Sequence, residues 1–339
     1  MRCLVVGGTG FLGGAIVDTL TRNDHEVIVL TRGKTFREIP ASVRAIQVDR
    51  FGDLSKLQSY DFDWVFDTCA FEPEAVERLL QTVGENCRRY VLVSSLSAFG
   101  SFSKPGLQES DPVPDATEAD LALATNLTDE QRGSATSYGA SYGPLKRACE
   151  VVAEELLGEK AISLRVGLLV GAGDYSDRLT WWVRRLDQAH GARMRVPAPA
   201  PPDRPVQMID VRDVADFALR CAETELSGLL NVTSQPLPLE SVLRAIIEET
   251  GSEAQIEWVS EQAILDAKIN PWTDIPLMAP SIPEFKHFLE MSTHKAVALG
   301  LKCRPICDTL RPLIEWDRMR RATNLKAGMD ETKEALLLN

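Results

Sequence analysis

An α/β fold, a doubly wound parallel sheet with a smaller C-terminal α/β lobe, is predicted by three observations. Short runs rich in valine and isoleucine recur through the first 235 residues and alternate with segments of helical spacing. The first run, Leu4-Val5-Val6, ends at once in Gly7-Gly8-Thr9-Gly10-Phe11-Leu12-Gly13-Gly14, and residues 15–21 continue at helical spacing. The alternation then loosens, with five prolines between residues 197 and 205, as expected of a second and less regular lobe.

At 339 residues the chain is long enough to bury a large core, and 44% hydrophobic with 25% charged residues is ordinary for a globular protein. A net charge of −12 without a run of lysine and arginine argues against nucleic acid as a partner. No stretch reaches the length that spans a bilayer, and the first strand starts at Cys3 with no charged leader before it, so the expectation is a cytoplasmic protein without membrane attachment. Seven scattered cysteines, with Cys303 and Cys307 four apart, fit neither a CxxC redox site nor zinc; they read as buried reduced thiols.

In the glycine turn, Gly7 permits a tight bend, Gly10 lets the backbone approach a diphosphate, and Gly13 lets the helix pack close on the strand. The helix N-terminus then faces the negative charge. The spacing is Gly-x-x-Gly-x-x-Gly rather than the commoner Gly-x-Gly-x-x-Gly. Placed between a strand and a helix it predicts a dinucleotide, with Thr9, Phe11 and Leu12 among its contacts.

Residues 26–30 form the second strand, which ends in Thr31-Arg32-Gly33-Lys34. An acidic residue here would receive a ribose 2′-hydroxyl; instead Arg32, followed by Lys34 and Arg37, offers charge to a 2′-phosphate, which favours NADP(H). Residues 43–49 alternate like a short strand whose Asp49 either accepts from an adenine amine or caps the next turn. The strand at 63–70 ends in small residues, Thr68 among them, where a cofactor backbone passes. A helix over 74–87 is entered at Pro73. Residues 90–95 form the fifth strand and place Ser94 and Ser95 at its carboxyl end, where α/β sheets bind ligands.

Residues 101–137, with Pro105-Gly106 and Asp111-Pro112-Val113-Pro114, are too long and irregular for a βα connection and read as an insertion. A helix from about Ser141 carries Tyr142 and Lys146; the sixth strand covers 162–166, with Val166 and Leu168 beside the cofactor. A helix over 214–223 precedes the last sheet strand at 229–232. The expected partition is a Rossmann domain at 1–170 plus 206–235, a substrate lobe at 171–205 plus 236–320, and a tail at 321–339 with no assigned function.

Tyr142 and Lys146, four apart on a helix, share a face. An ammonium beside a phenol lowers the phenol's pKa and makes it a usable acid or base. Ser95 can hold a carbonyl oxygen, and hydride from a reduced nicotinamide would be matched by a proton from Tyr142. Tyr138 is followed four residues on by Tyr142 rather than by a lysine, so it lacks the pairing. Arg165, Asp210 and Asp213 read as one structural network at the lobe junction, and His25, His190, His287 and His294 as surface residues without metal-ligand spacing.

From Met1 to about Asp317 the chain resembles the short-chain dehydrogenase/reductase superfamily, in its extended or atypical epimerase/dehydratase-like branch. The resemblance rests on Gly7 to Gly13, Ser94-Ser95 with Phe99-Gly100, Tyr142-x-x-x-Lys146, and Val206 to Val214. It implies that Ser95 polarises the substrate oxygen, that Tyr142 is the acid/base, and that Lys146 also binds the nicotinamide ribose. Two features depart from the pattern. The 47-residue separation of Ser95 and Tyr142 is longer than usual; if the insertion tilts the helix, the proton comes from water or substrate. Leu168 stands where sugar-nucleotide members commonly place an asparagine, and an apolar residue cannot hydrogen-bond a sugar. With Trp181, Trp182, Trp272, Met278, Phe285 and Phe288 in the second lobe, most of them core and one or two in the pocket, the profile resembles ketoreductases that tailor polyketides and other secondary metabolites, acting on a hydrophobic small molecule as monomer or homodimer. The alternatives are a nucleotide-sugar epimerase or dehydratase with bound NAD, and a non-catalytic or RNA-associated protein.

Overall fold

The computed structural model describes residues 1–34, 37–188, 194–280 and 282–338; His190 lies outside them. Seven strands form the main sheet: β1 (Arg2–Val6), β2 (Glu26–Thr31), β3 (Arg44–Gln47), β4 (Trp64–Asp67), β5 (Arg89–Ser95), β6 (Ala161–Val166) and a last strand, Gly228–Val232. From one edge, the order is Gly228–Val232, β6, β5, β4, β1, β2, β3, and every pairing is parallel. The order reverses between β1 and β4, the switch point at which doubly wound sheets open a crevice beyond their carboxyl ends.

The strands are buried on both faces, and alternate residues feed different cores. Cys3, Val5, Val27 and Val29 join a core with α1 (Phe11–Arg22) and the helix Val211–Glu223. Leu4, Val6, Ile28 and Leu30 point the other way, to α2 (Pro73–Val83) and the helix Tyr142–Leu157. A separate core holds the second lobe together, around the helices Arg178–Asp187, Leu239–Thr250 and Ile306–Met319 and the parallel pair Arg195–Pro199 with Gln255–Val259. Residues 321–338 belong to this lobe and are no free tail: Met329 and Leu337 are in its core, and Trp181 Nε1 donates to Met329 O.

The insertion divides into two. Its first part runs beside Gly228–Val232, where Asn231 Nδ2 donates to Leu107 O (3.1 Å) and Phe102 N to Glu284 O (2.6 Å). Its second part carries α3 (Glu118–Asn126), started by a Thr117/Asp120 capping box, and α4 (Ala135–Tyr138), and leads into α5 (Tyr142–Leu157). Among the described residues no helix is long and apolar enough to cross a membrane. All seven cysteines are free; four are buried, Cys69 and Cys307 are half-buried, and Cys303 is exposed because it lies on the surface of the connection before Ile306–Met319. His25 and His287 are half-buried, the first packed edge-on against Trp64 and the second hydrogen-bonded to Glu290, whereas His294 is exposed.

Candidate active site

A cleft of about 1450 Å³ crosses the carboxyl ends of the sheet strands and is bordered by both lobes. At one end lies the glycine turn. Gly7 has φ +80°, and a Cβ there would lie 2.7 Å from Thr68 Oγ1, whose hydroxyl donates to Val6 O (2.8 Å). Gly10 N donates to Gly7 O (2.9 Å), and a Cβ on Gly13 would sit 2.2 Å from that same oxygen. Gly10 caps α1 without a side chain, so the first amides of the helix stay open for an anion. This cradle fits the diphosphate of a dinucleotide. Thr9 and Thr31 share a hydroxyl–hydroxyl bond (3.1 Å) below it, Phe11 packs near Gly171 and Gly173, and Leu12 is in the core while bordering the cleft.

Arg32 and Lys34 border the same end. Arg32 Nη1 donates to the carbonyls of Asp129 (3.2 Å) and Arg132 (3.3 Å), so the insertion holds the guanidinium in place. Arg132 in turn pairs with Glu72 (3.3 Å) and lies 4.2 Å over the Phe51 ring. Arg37 folds over Gly14 and pairs with Asp18. Asp49 accepts from Phe51 N (3.0 Å), the turn-capping alternative, and still borders the cleft.

The middle of the cleft is built by the approach of α5 to the turn that follows β5. A Cβ on Gly143 would lie 2.2 Å from Ser97 O; glycine allows the close packing that brings Tyr142 beside Ser95. Both side chains border the same cleft, with the Ser95 hydroxyl near enough to the phenol to influence its proton. Ser95 Oγ accepts from Ser97 N (3.1 Å). Burial pushes the Tyr142 phenol above its ordinary value, and the nearby Ser95 hydroxyl opposes this. That is the reverse of the direction expected from a neighbouring lysine. The reason is geometric: Lys146 turns inward, and its ammonium donates to Ala70 O and Val93 O, each at 2.6 Å. Burial pulls the ammonium below its ordinary value. Its third N–H has no acceptor among the described residues.

Other expectations resolve differently. Ser94 borders the cleft, but its hydroxyl donates to Glu150 Oε1 (2.6 Å). Arg165 does not join Asp210 and Asp213. It forms a buried two-bond pair with Glu150 (2.9 and 2.7 Å), while Asp210 caps the helix at Val211 and pairs with Arg212, and Asp213 pairs with Arg304. Asp210 and Asp213 are still joined through Arg304 (3.8 and 2.6 Å), whereas Arg165 is drawn to Glu150 on a different element, a pairing that no local spacing gives. Tyr138 is buried, stacked on Phe71 (5.4 Å), and donates to Glu72 (2.8 Å). Val166 and Leu168 border the cleft, Leu168 on a short strand (Leu168–Val170) parallel to Met208–Asp210.

At the far end Trp272, Phe288, Leu289 and Trp316 form an apolar wall. Trp181, Trp182 and Met278 are core residues, and Phe285 packs against Phe102 and Phe288. Sequence reasoning passed over Asp174, Tyr175 and Arg178, which also border the cleft. Their one signal was position: they follow the glycines that leave the sheet after β6. It also passed over Arg50, buried beneath the cleft in a two-bond pair with Asp67, to which Tyr90 donates as well.

A glycine turn at a switch point, with Ser95 and Tyr142 on the same cleft, defines a nicotinamide-dinucleotide protein of oxidoreductase or epimerase type. The chain belongs to the NAD dependent epimerase/dehydratase family, whose model matches residues 3–232. It is 31% identical over 122 residues to a 2′-dehydrokanamycin reductase of Streptomyces kanamyceticus; the match covers 35% of this chain and 34% of that protein, about a third of the relative's length. The fold is similar to that of a UDP-N-acetylglucosamine 4-epimerase from Methanobrevibacter ruminantium (TM-score 0.67, 17% identity, 94% and 98% of the two chains). It is also similar to a UDP-glucuronic acid 4-epimerase from Bacillus cereus in complex with NAD (TM-score 0.65, 14% identity, 94% and 99%).

Proposed function

We propose that this protein reduces a ketone on a small molecule with an apolar or aromatic body, using NADP(H). The observation that carries the reading is that Ser95 and Tyr142 border one cleft together with the glycine turn and the apolar side chains of Trp272, Phe288 and Trp316. A reduced nicotinamide bound in the cleft would supply the hydride. Ser95 and Tyr142 together receive the carbonyl oxygen, and the Tyr142 hydroxyl gives it a proton, so that the carbonyl gains C–H and O–H bonds. A phenol held above its ordinary value stays protonated at neutral pH, the state a proton donor needs. The glycine turn is available to the diphosphate, whereas Lys146 is buried behind the cleft lining and its ammonium is held by Ala70 O and Val93 O, so its expected contact with the ribose needs a shift of that side chain.

Arg32 and Lys34, with no carboxylate at the end of β2, support a 2′-phosphate, and the carbonyls of Asp129 and Arg132 pre-position the arginine. The partial relative carries the name of a reductase, which supports reduction over epimerisation. Leu168 in the cleft supports an apolar substrate over a sugar. The test is NADPH oxidation, followed at the nicotinamide absorbance band with a panel of aromatic and alicyclic ketones. Turnover of a UDP- or TDP-sugar without oxidation of NADPH by any ketone would overturn the reading.

A further inference from the structure

We infer that Arg178 anchors an oxyanion on the substrate, so that the molecule taken by this cleft carries a carboxylate or phosphate beside its apolar body. The inference rests on the ketone-reduction reading for the site's chemistry. Its own evidence is a cation at the cleft that has no hydrogen-bond acceptor and no ion-pair partner among the described residues.

Arg178 is the first residue of α6 (Arg178–Asp187) and borders the cleft that holds Ser95 and Tyr142. Its guanidinium lies 4.8 Å from the centre of the Trp272 ring, which also borders the cleft. The other arginines at the cleft are answered: Arg22 by Asp216, Arg32 by two carbonyls, Arg37 by Asp18, Arg50 by Asp67, Arg132 by Glu72 and Arg212 by Asp210. Among the described residues no hydrogen-bond acceptor and no ion-pair partner meets Arg178. The nearby carboxylate of Asp174 is engaged with Ser176, accepting from its amide (2.7 Å) and its hydroxyl (2.9 Å).

Burial pulls the guanidinium below its ordinary value, and Asp174 and Tyr175 only partly oppose the shift. A partly desolvated cation with five donors and no acceptor is costly to keep. An oxyanion in the cleft relieves that cost, and the planar fork suits the two oxygens of a carboxylate or phosphate. Tyr175, Trp272 and Phe288 border the same cleft as Ser95 and Tyr142. A ligand gripped at Arg178 therefore lays its apolar part along Trp272 and Phe288, toward Ser95 and Tyr142.

The experiment is calorimetric titration of the NADP⁺-loaded protein with 2-naphthoate, 2-naphthyl phosphate and neutral 2-naphthamide. In the wild type one anion or both should bind at least tenfold more tightly than the amide, and the tighter of the two identifies the oxyanion. That advantage should vanish in Arg178→Gln and return in part in Arg178→Lys, with the urea midpoint of both variants unchanged. An amide that binds as tightly as the anions, or an anion advantage that survives Arg178→Gln, overturns the anchor. The readout is binding, so Arg178-dependent anion binding without oxidation of NADPH by any ketone would support the anchor while removing the reduction reading.

Discussion

The glycine turn makes two separable demands, and a pair of alanine substitutions isolates them. At Gly13 an added methyl meets only backbone: Gly7 O at 2.2 Å, Gly7 C at 2.8 Å and Gly8 Cα at 3.0 Å. Backbone cannot rotate aside, so Gly13→Ala must push α1 off β1 and should destabilise the cofactor-free protein by about 1–3 kcal/mol. At Gly10 the backbone is already extended (φ −77°, ψ 175°), and the nearest atom to the methyl is Gly7 O at 3.3 Å. Gly10→Ala should therefore change the folded protein by no more than about 1 kcal/mol, the size of a lost N-cap preference. The same methyl occupies the space through which a diphosphate reaches the helix amides. NADP(H) affinity should fall by roughly tenfold or more, about 1.4 kcal/mol. Urea unfolding of the cofactor-free variants and calorimetric titration with NADP⁺ read the two effects. If Gly10→Ala bound NADP⁺ like the wild type, the diphosphate would not lie on this turn. If both variants lost equal stability, the close-packing argument for Gly13 would fail.

Four further outcomes are expected. Tyr142→Phe should lower kcat for ketone reduction by a factor on the order of 10²–10⁴ and leave NADP⁺ affinity unchanged; an unaltered rate would mean that the proton comes from elsewhere. Arg32→Ala should weaken NADPH much more than NADH in parallel titrations, and equal losses would count against a 2′-phosphate at that guanidinium. Glu150→Ala leaves Arg165, only 1% exposed, without its carboxylate and should cost about 3–5 kcal/mol in urea unfolding; a loss below ~1 kcal/mol would refute a buried structural pair. Stability should fall as the pH rises above about 9. Burial pushes Cys3, Cys149 and Cys221 up to about 12 and Cys87 up to about 11, so unfolded thiols ionise while folded ones keep their protons. Each such thiol contributes a slope of roughly 1.4 kcal/mol per pH unit within its window, whereas Lys146 acts in the opposite sense. A urea midpoint that stays flat from pH 8.5 to 10.5 would contradict this.

Periodicity and glycine spacing are local properties, and what depends on them was legible in the chain. The seven runs read as main-sheet strands are the seven strands of the sheet, and the strand–turn–helix at Leu4 to Gly14 has the geometry its glycines require. The placement of Ser95 and Tyr142 at the carboxyl edge follows from the same alternation, because parallel strands joined by right-handed crossovers all end on one side. Direction and partner are not local. Lys146 shares a helix face with Tyr142 in sequence, yet its ammonium turns to the carbonyls of two other segments. Arg165 finds Glu150 on α5 rather than Asp210 and Asp213, at the end of the strand Met208–Asp210 and just after it, because only the packed sheet and helix bring those charges together. The insertion, read as a break in rhythm, reaches back about a hundred residues to hold Arg32, and residues 321–338 complete the second core. Residue order determined the scaffold and its phosphate-binding turn, since both are written in spacings of two to four residues. Tertiary structure decided which charges are neutralised and which, like Arg178, are left facing the cleft, since that depends on segments distant in sequence.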